Sequence, residues 1–404
     1  MNEHMIKKAQ AYLQTFCVDI GNRCVGSEGN QAATAFFADM IEAFGFDVEK
    51  AVFDCMDWHQ DGVELTTDSL HFEAQVSPYS LGCQVHAPLV VVNSIPELET
   101  AAIGNKILML HGEIASEQLM PKSFSFYNPD HHKKIIALLE SKNPQAIISA
   151  TTQDPVMVGS GIYPFPLIED GDFDIPSVYM TAEEGEKLAQ YEGKPVSLHI
   201  QAERVPAKAA NITARIGDLS ENRVVVFAHI DSKLGTPGAI DNAGGVITLL
   251  LLAELLSTYT GHPGIELVAL NGEDYYSNPG QHQYLAANSN RFENILLGIN
   301  IDGIGYNRGK TAYSLYDCPS EMADLINRTF ARYDQVIPGE AWYMGDHGLF
   351  LMHQRPALAF TSEMQAEVMA IVHTPADRPE IVNTSQVADV ASALYELLIA
   401  ISSG

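Results

Sequence analysis

The chain has 404 residues, and 46% of them are hydrophobic, which is enough to build a core and argues against a wholly disordered chain. Lys and Arg number 23 against 51 Asp and Glu, a formal net charge of −28. Such a balance repels phosphate backbones and anionic lipid, so nucleic-acid and membrane-surface roles are not expected, and cationic partners are mildly favoured.

The first residues, MNEHMIKKAQAYLQ, contain no apolar run followed by a small-residue cleavage site. The most apolar stretch, Val246 to Leu256, is too short to span a bilayer. Cys17, Cys24, Cys55, Cys83 and Cys318 are scattered without CxxC spacing, which reads as reduced thiols. The expectation is a soluble cytoplasmic protein, with self-association left open.

In chain order, Ile6, Ala9, Tyr12, Leu13 and Phe16 recur at helical period. A second helix is expected over about 31–44, with Asn30 as N-cap and Gly45 closing it. Residues 46–53 alternate as a strand. From about 61 to 204 short strands (89–92, 106–110, 146–149, 178–180, 196–200) and two helices (132–140, 182–191) suggest an inserted α+β module. After Arg204 the rhythm becomes β-α-β, with strands at 224–228, 265–270, 295–301 and 357–360 and an apolar helix at 246–256. Continuous apolar strands separated by helices predict an α/β fold: a mixed, largely parallel sheet with helices on both faces. The domains are then 1–60 with 205–404, and 61–204.

Ligands of open α/β sheets bind beyond the carboxyl ends of the strands. Several acidic and imidazole groups fall there. His229 and Asp231 follow VVVFA; Asp241 lies in LGTPGAIDNAGG; Glu273 and Asp274 follow IELVAL; Asp302 follows ILLGINI; His373 lies in IVHTPADRPE. Two histidines and several carboxylates suit one or two Zn²⁺ ions, which accept N and O ligands. Adjacent Glu273 and Asp274 can divide the work between metal ligation and general base, which is the chemistry of amide hydrolysis. Two other signals carry less. GIGYNRGKT departs from a phosphate loop at Ile304 and Arg308. His131 and His132 are direct neighbours, and read as a solvated helix start.

The ordered pieces HIDS, GAIDNAGGV, LNGEDYY, NIDGIG, GDHGLF and VHTPAD strongly resemble the zinc aminopeptidases of peptidase family M28, clan MH. RCVGSEGNQAATAFFADMIEAFGFDVE is similar to that family's opening, and the middle segment resembles a protease-associated (PA) domain. The resemblance implies a two-zinc centre: His229 and Asp302 on one ion, Asp274 and His373 on the other, Asp241 bridging. It implies that Glu273 is the general base, taking a proton from the attacking water and returning it to the leaving amine. Asp231 would fix the tautomer of His229, and Asp346 and Asp377 would order the surrounding loops.

The chain departs from the family at Asp274, where Glu is usual, at Val372, where some members carry Tyr, and at Gly345, where Ser is common. Tyr275, Tyr276 and Tyr343 are the candidates to replace that Tyr. Met344, Phe350 and Val372, with Phe360 and Ile371 nearby, are candidates for an apolar substrate pocket. The expected activity is removal of the N-terminal residue from a peptide with a free amine. The alternatives are a carboxypeptidase or dipeptidase using Arg308, Arg355 or Arg378, a one-zinc glutaminyl-cyclase-like aminoacyltransferase, and a receptor-like binding module without catalysis.

Overall fold

The structure is a computed structural model that describes residues 2–151 and 166–403. The chain forms two compact units: Met1–Cys55 with Ala207–Gly404, and Met56–Pro206.

The first unit is built on a mixed sheet. Its strand order is Val336–Pro338, Thr311–Tyr316, Ala357–Ser362, Ile295–Ile301, Arg223–His229, Gly264–Leu270 and the C-terminal part of Pro195–Ile216. The four strands from Ala357–Ser362 to Gly264–Leu270 pair in parallel. The antiparallel pairings lie outside them, at Thr311–Tyr316 and at Ile212–Ile216. The parallel strands are nearly continuous apolar runs because both faces are covered. Helix Gly244–Leu255 is buried from Gly244 through Ala253, as expected of a helix that is apolar all round. The last helix, Thr384–Ser402, is long and apolar enough by composition to cross a membrane, yet Val387, Val390, Leu394 and Leu397 pack into the same core.

The N-terminal helices differ in detail from the periodicity reading. The first runs Asn2–Gln14 and continues as a wider, i→i+5 bonded turn, Thr15–Ile20. The second begins at Glu28, earlier than expected, because Ser27 is the N-cap: its Oγ accepts the backbone N–H of Asn30 at 3.1 Å. Asn30 is therefore inside the helix, and its side chain is freed for other use.

The second unit carries parallel strands Cys83–Val92, Ile107–Leu110, Ala146–Thr151 and Ser177–Thr181, with Gln75–Val76 antiparallel at the edge. Leu98, Leu108, Ile147 and Phe173 form its core with Ile135 and Leu139 of helix Asp130–Lys142. The five cysteines form no disulfide among the described residues.

Candidate metal centre

The site lies in the first unit, at the carboxyl ends of three neighbouring parallel strands. His229 is the last residue of one strand and stands level with Leu270 on the next. Asp302 follows Ile301, and its N–H is held by Phe360 O at 3.2 Å. Asp241 comes from the loop before the buried helix, next to a cis Asp241–Asn242 peptide bond. Asn242 anchors that loop by donating Nδ2–H to Ile301 O at 2.7 Å. His373 has φ of +61°, a left-handed backbone that a non-glycine residue adopts only when its surroundings hold it there.

These loops bring five of the seven sequence candidates for the catalytic and metal positions into direct contact. His229 Nε2 is 3.0 Å from Asp241 Oδ1 and 3.5 Å from Asp302 Oδ1. His373 Nε2 is 3.0 Å from Asp241 Oδ2 and 2.9 Å from Asp274 Oδ1. Asp241 thus presents one oxygen to each imidazole. The orientation of His229 matters. Its Nδ1 lies 3.2 Å from the main-chain carbonyl of Asp231, so Nδ1 carries the proton and donates it. The Nε2 lone pair then faces two carboxylates, acceptor against acceptor. Such an arrangement is stable only with a cation between the groups or a second proton on the ring. Asp274 Oδ2 is likewise buried without a hydrogen-bond partner. The donor set, two imidazole nitrogens and three carboxylates, fits zinc.

The electrostatics of these side chains agree. Burial pulls the His229 pKa down, but Asp302, Asp231 and Asp241 outweigh it and hold the ring protonated well above its ordinary range. His373 behaves likewise, with Asp274 and Asp241 outweighing burial. Glu273 is pushed well above the usual carboxylate range by loss of solvent; His229 opposes this, and Asp274, Asp302 and Asp346 add to it. Burial also raises Asp302, and raises Asp346 and Asp377 to about 7.

The side chain of Asp231 has a different task from the expected one. Its carboxylate is 3.7 Å from His229 Nδ1, beyond hydrogen-bond range. It accepts instead the N–H groups of Gly272 at 2.7 Å and Asp274 at 3.0 Å. The tautomer of His229 is set by the Asp231 backbone, and the carboxylate holds the Glu273–Asp274 loop. Asp377 does the same for Asp241, accepting from Ile240 N at 2.7 Å and Asp241 N at 3.1 Å. Asp346 accepts from Gln281 Nε2 at 3.1 Å.

Two of the three pocket candidates are core residues. Phe350 is fully buried and packs on Phe227, with ring centroids 4.8 Å apart. It fills the space above Gly298, where an added Cβ would meet its ring at 2.2 Å. Val372 packs with Ile240, Tyr306 and Val368. Met344 is 70% exposed and Tyr343 is exposed beside it, while Tyr275 and Tyr276 are buried against each other. Arg308 stacks over Tyr306 and faces Glu367 at 3.5 Å.

His131 and His132 are also better connected than expected. Both reach Glu117, at 2.7 and 3.2 Å, and His132 is buried. His132 Nδ1 accepts the N–H of Met120 at 3.1 Å. Its proton therefore sits on Nε2, which lies 3.2 Å from Glu117 and offers no lone pair to a metal.

Residues 211–398 match the family model "Peptidase family M28". A curated relative, the probable lipoprotein aminopeptidase LpqL of Mycobacterium tuberculosis, is 25% identical over 287 residues; the match covers 70% of this chain and 55% of that relative. Among solved structures, the aminopeptidase of Aneurinibacillus sp. strain AM-1 superimposes with a TM-score of 0.75 at 20% identity, covering 97% of this chain and 93% of that one. A zinc aminopeptidase from Bacillus subtilis gives 0.74 at 19% identity, covering 97% and 94%. The fold is that of these aminopeptidase structures, and the family model matches the part of the chain that carries the candidate ligands.

Proposed function

We propose that the chain is an aminopeptidase that hydrolyses the N-terminal peptide bond of peptides through a two-zinc centre, with Glu273 as general base. His229 and Asp302 would hold one ion, His373 and Asp274 the other, with Asp241 between them. The observation that carries this reading is the pair of imidazole Nε2 atoms facing the oxygens of Asp241, Asp274 and Asp302 at 2.9–3.5 Å. Bound zinc supplies Lewis acidity: it polarises the scissile carbonyl and makes water a nucleophile at neutral pH.

The chain's own groups do the rest. Glu273 precedes the ligand Asp274 and shares its loop, so it is carried to the reacting centre without being consumed as a ligand. Loss of solvent raises its proton affinity, and bound zinc would favour the carboxylate, so the ionised group can take a proton from water and hand it to the leaving amine. The carboxylates that surround the site, Glu273 and Asp302 among them, suit the cationic α-amine of a free N-terminus. That contact distinguishes an aminopeptidase from an enzyme that reads a terminal carboxylate. We read the segment 61–204 as a PA-like module, on the texture of its sequence.

The test is hydrolysis of amino-acid anilides by zinc-loaded protein. The free-amine substrates should be cleaved and their N-acetyl counterparts should not. Cleavage of C-terminal residues, or full activity in Glu273→Gln, would overturn the reading.

A further inference from the structure

The N-terminal segment supplies none of the candidate ligands, yet it reaches three of the segments that do. Arg23 is 1% exposed. Its guanidinium donates to four main-chain carbonyls: Phe16 at 3.0 Å, Ile230 at 3.0 Å, Pro237 at 2.8 Å and Gly238 at 2.8 Å. Ile230 directly follows His229, and Gly238 is three residues before Asp241. The fit is close at Gly238, whose φ is +60°; a Cβ there would lie 2.7 Å from Arg23 Nη2 and 2.6 Å from Asp241 O. A planar fork with five donors can hold all four carbonyls, from three chain segments, in fixed geometry, and an ammonium with three donors cannot.

The brace continues to the third loop. Asn30 Nδ2 donates to Arg23 O at 3.1 Å and to Asn271 Oδ1 at 2.6 Å. Asn271 Nδ2 in turn donates to Thr34 Oγ1 at 3.2 Å, and Asn271 stands two residues before Glu273. One short stretch, Arg23 to Thr34, is thus hydrogen-bonded to the segments that deliver His229, Asp241 and the Glu273–Asp274 pair.

We infer that Arg23 is a positioning residue for the metal centre: through the carbonyls of Ile230, Pro237 and Gly238 it sets the separation of His229 from Asp241, and Asn30 extends the same brace to the base loop. This role rests on the metal reading proposed above.

The experiment compares wild type, Arg23→Lys and a control, Arg223→Lys. Arg223 is 2% exposed and binds Arg291 O at 3.0 Å and Asn288 Oδ1 at 2.9 Å, at the opposite end of the strand that carries His229. Zinc affinity is read by competition with a chromophoric chelator, and ligand geometry by the visible spectrum of the Co²⁺-loaded protein. Kinetic constants and the metal-free Tm complete the set. Arg23→Lys should weaken zinc by about 10–100-fold, alter the Co²⁺ spectrum, and lower kcat with KM nearly unchanged. Arg223→Lys should lower Tm and leave affinity and spectrum as in wild type.

If Arg23→Lys does not fold, Asn30→Ala should give the altered spectrum and lowered kcat. Wild-type affinity and spectrum in Arg23→Lys, or in Asn30→Ala where that variant is the one read, overturn the brace and leave the metal reading standing. Equal losses in Arg223→Lys also overturn it, by showing a merely structural effect. A wild-type protein that takes up neither zinc nor cobalt overturns the metal reading, and the positioning role falls with it.

Discussion

The carboxylate of Asp231 accepts the backbone N–H of Asp274 at 3.0 Å, so a residue two positions after one candidate ligand fixes the backbone of another. The strand end bearing His229 and the loop bearing Glu273 and Asp274 are thereby locked together. Asp231→Asn preserves shape but turns one acceptor into a donor facing an N–H. The expected cost is that of one buried mismatched pair, about 1–3 kcal/mol. It should appear as a loss of Tm together with a fall in kcat, because the loop that moves carries the base. An unchanged kcat in Asp231→Asn would mean the loop is held by other means.

Glu273→Gln tests the base. Removing a general base typically costs roughly 10²–10⁴-fold in rate. Because Glu273 is a poorly solvated carboxyl among Asp274, Asp302 and Asp346, its neutralisation should leave Tm no lower and zinc content intact. Residual activity near wild type would assign the proton transfer to another group.

Removing metal should make stability strongly dependent on pH, with a defined sign. Burial raises Asp346 and Asp377 from 3.8 to about 7. Stability from a raised carboxyl is complete below its unfolded pKa and is lost as pH rises through the folded one. His229 and His373 act in the same direction: each is raised because carboxylates outweigh burial, so their stabilisation also fades as pH rises through their elevated values. The Tm of metal-free protein should therefore fall between about pH 5 and about pH 8. Zinc-saturated protein should show a much shallower dependence. A metal-free Tm that is flat or rises across that window contradicts the assignment.

The apolar residues near the last motifs separate by packing. Phe350, buried between Phe227 and Gly298, should lose about 3–5 kcal/mol on substitution by Ala with no change in substrate preference. Met344, which is open to solvent, should change stability by less than about 0.5 kcal/mol as Met344→Ala. Its effect should fall on the ratio of kcat/KM between substrates with large and small first residues. The opposite pattern would return Phe350 to the pocket.

The parallel strands were legible because each is an uninterrupted apolar run, and the candidate ligands because they stand just past those runs. What the sequence concealed depends on direction and distance. Thr311–Tyr316 lies among the sheet strands but runs antiparallel, and no periodicity reports strand direction. Asn30 has an N-cap's chemistry, but Ser27 lies three residues earlier and takes the cap; the second choice is visible only when the freed amide is seen on Asn271. Arg23 carries no local signal at all, since its partners at Ile230, Pro237 and Gly238 are some two hundred residues away. Phe350 and Met344 look alike as apolar residues near a motif, and only their burial separates them.

Asp241 offers one oxygen to His229 and the other to His373, so both proposed ion positions depend on this side chain. The decisive measurement is the zinc content of purified, zinc-equilibrated protein and of Asp241→Ala, determined by atomic emission. Wild type should hold close to two ions per chain, and Asp241→Ala should lose affinity at both positions together. Zinc retained undiminished in Asp241→Ala, or none bound by wild type, would contradict a centre bridged by Asp241.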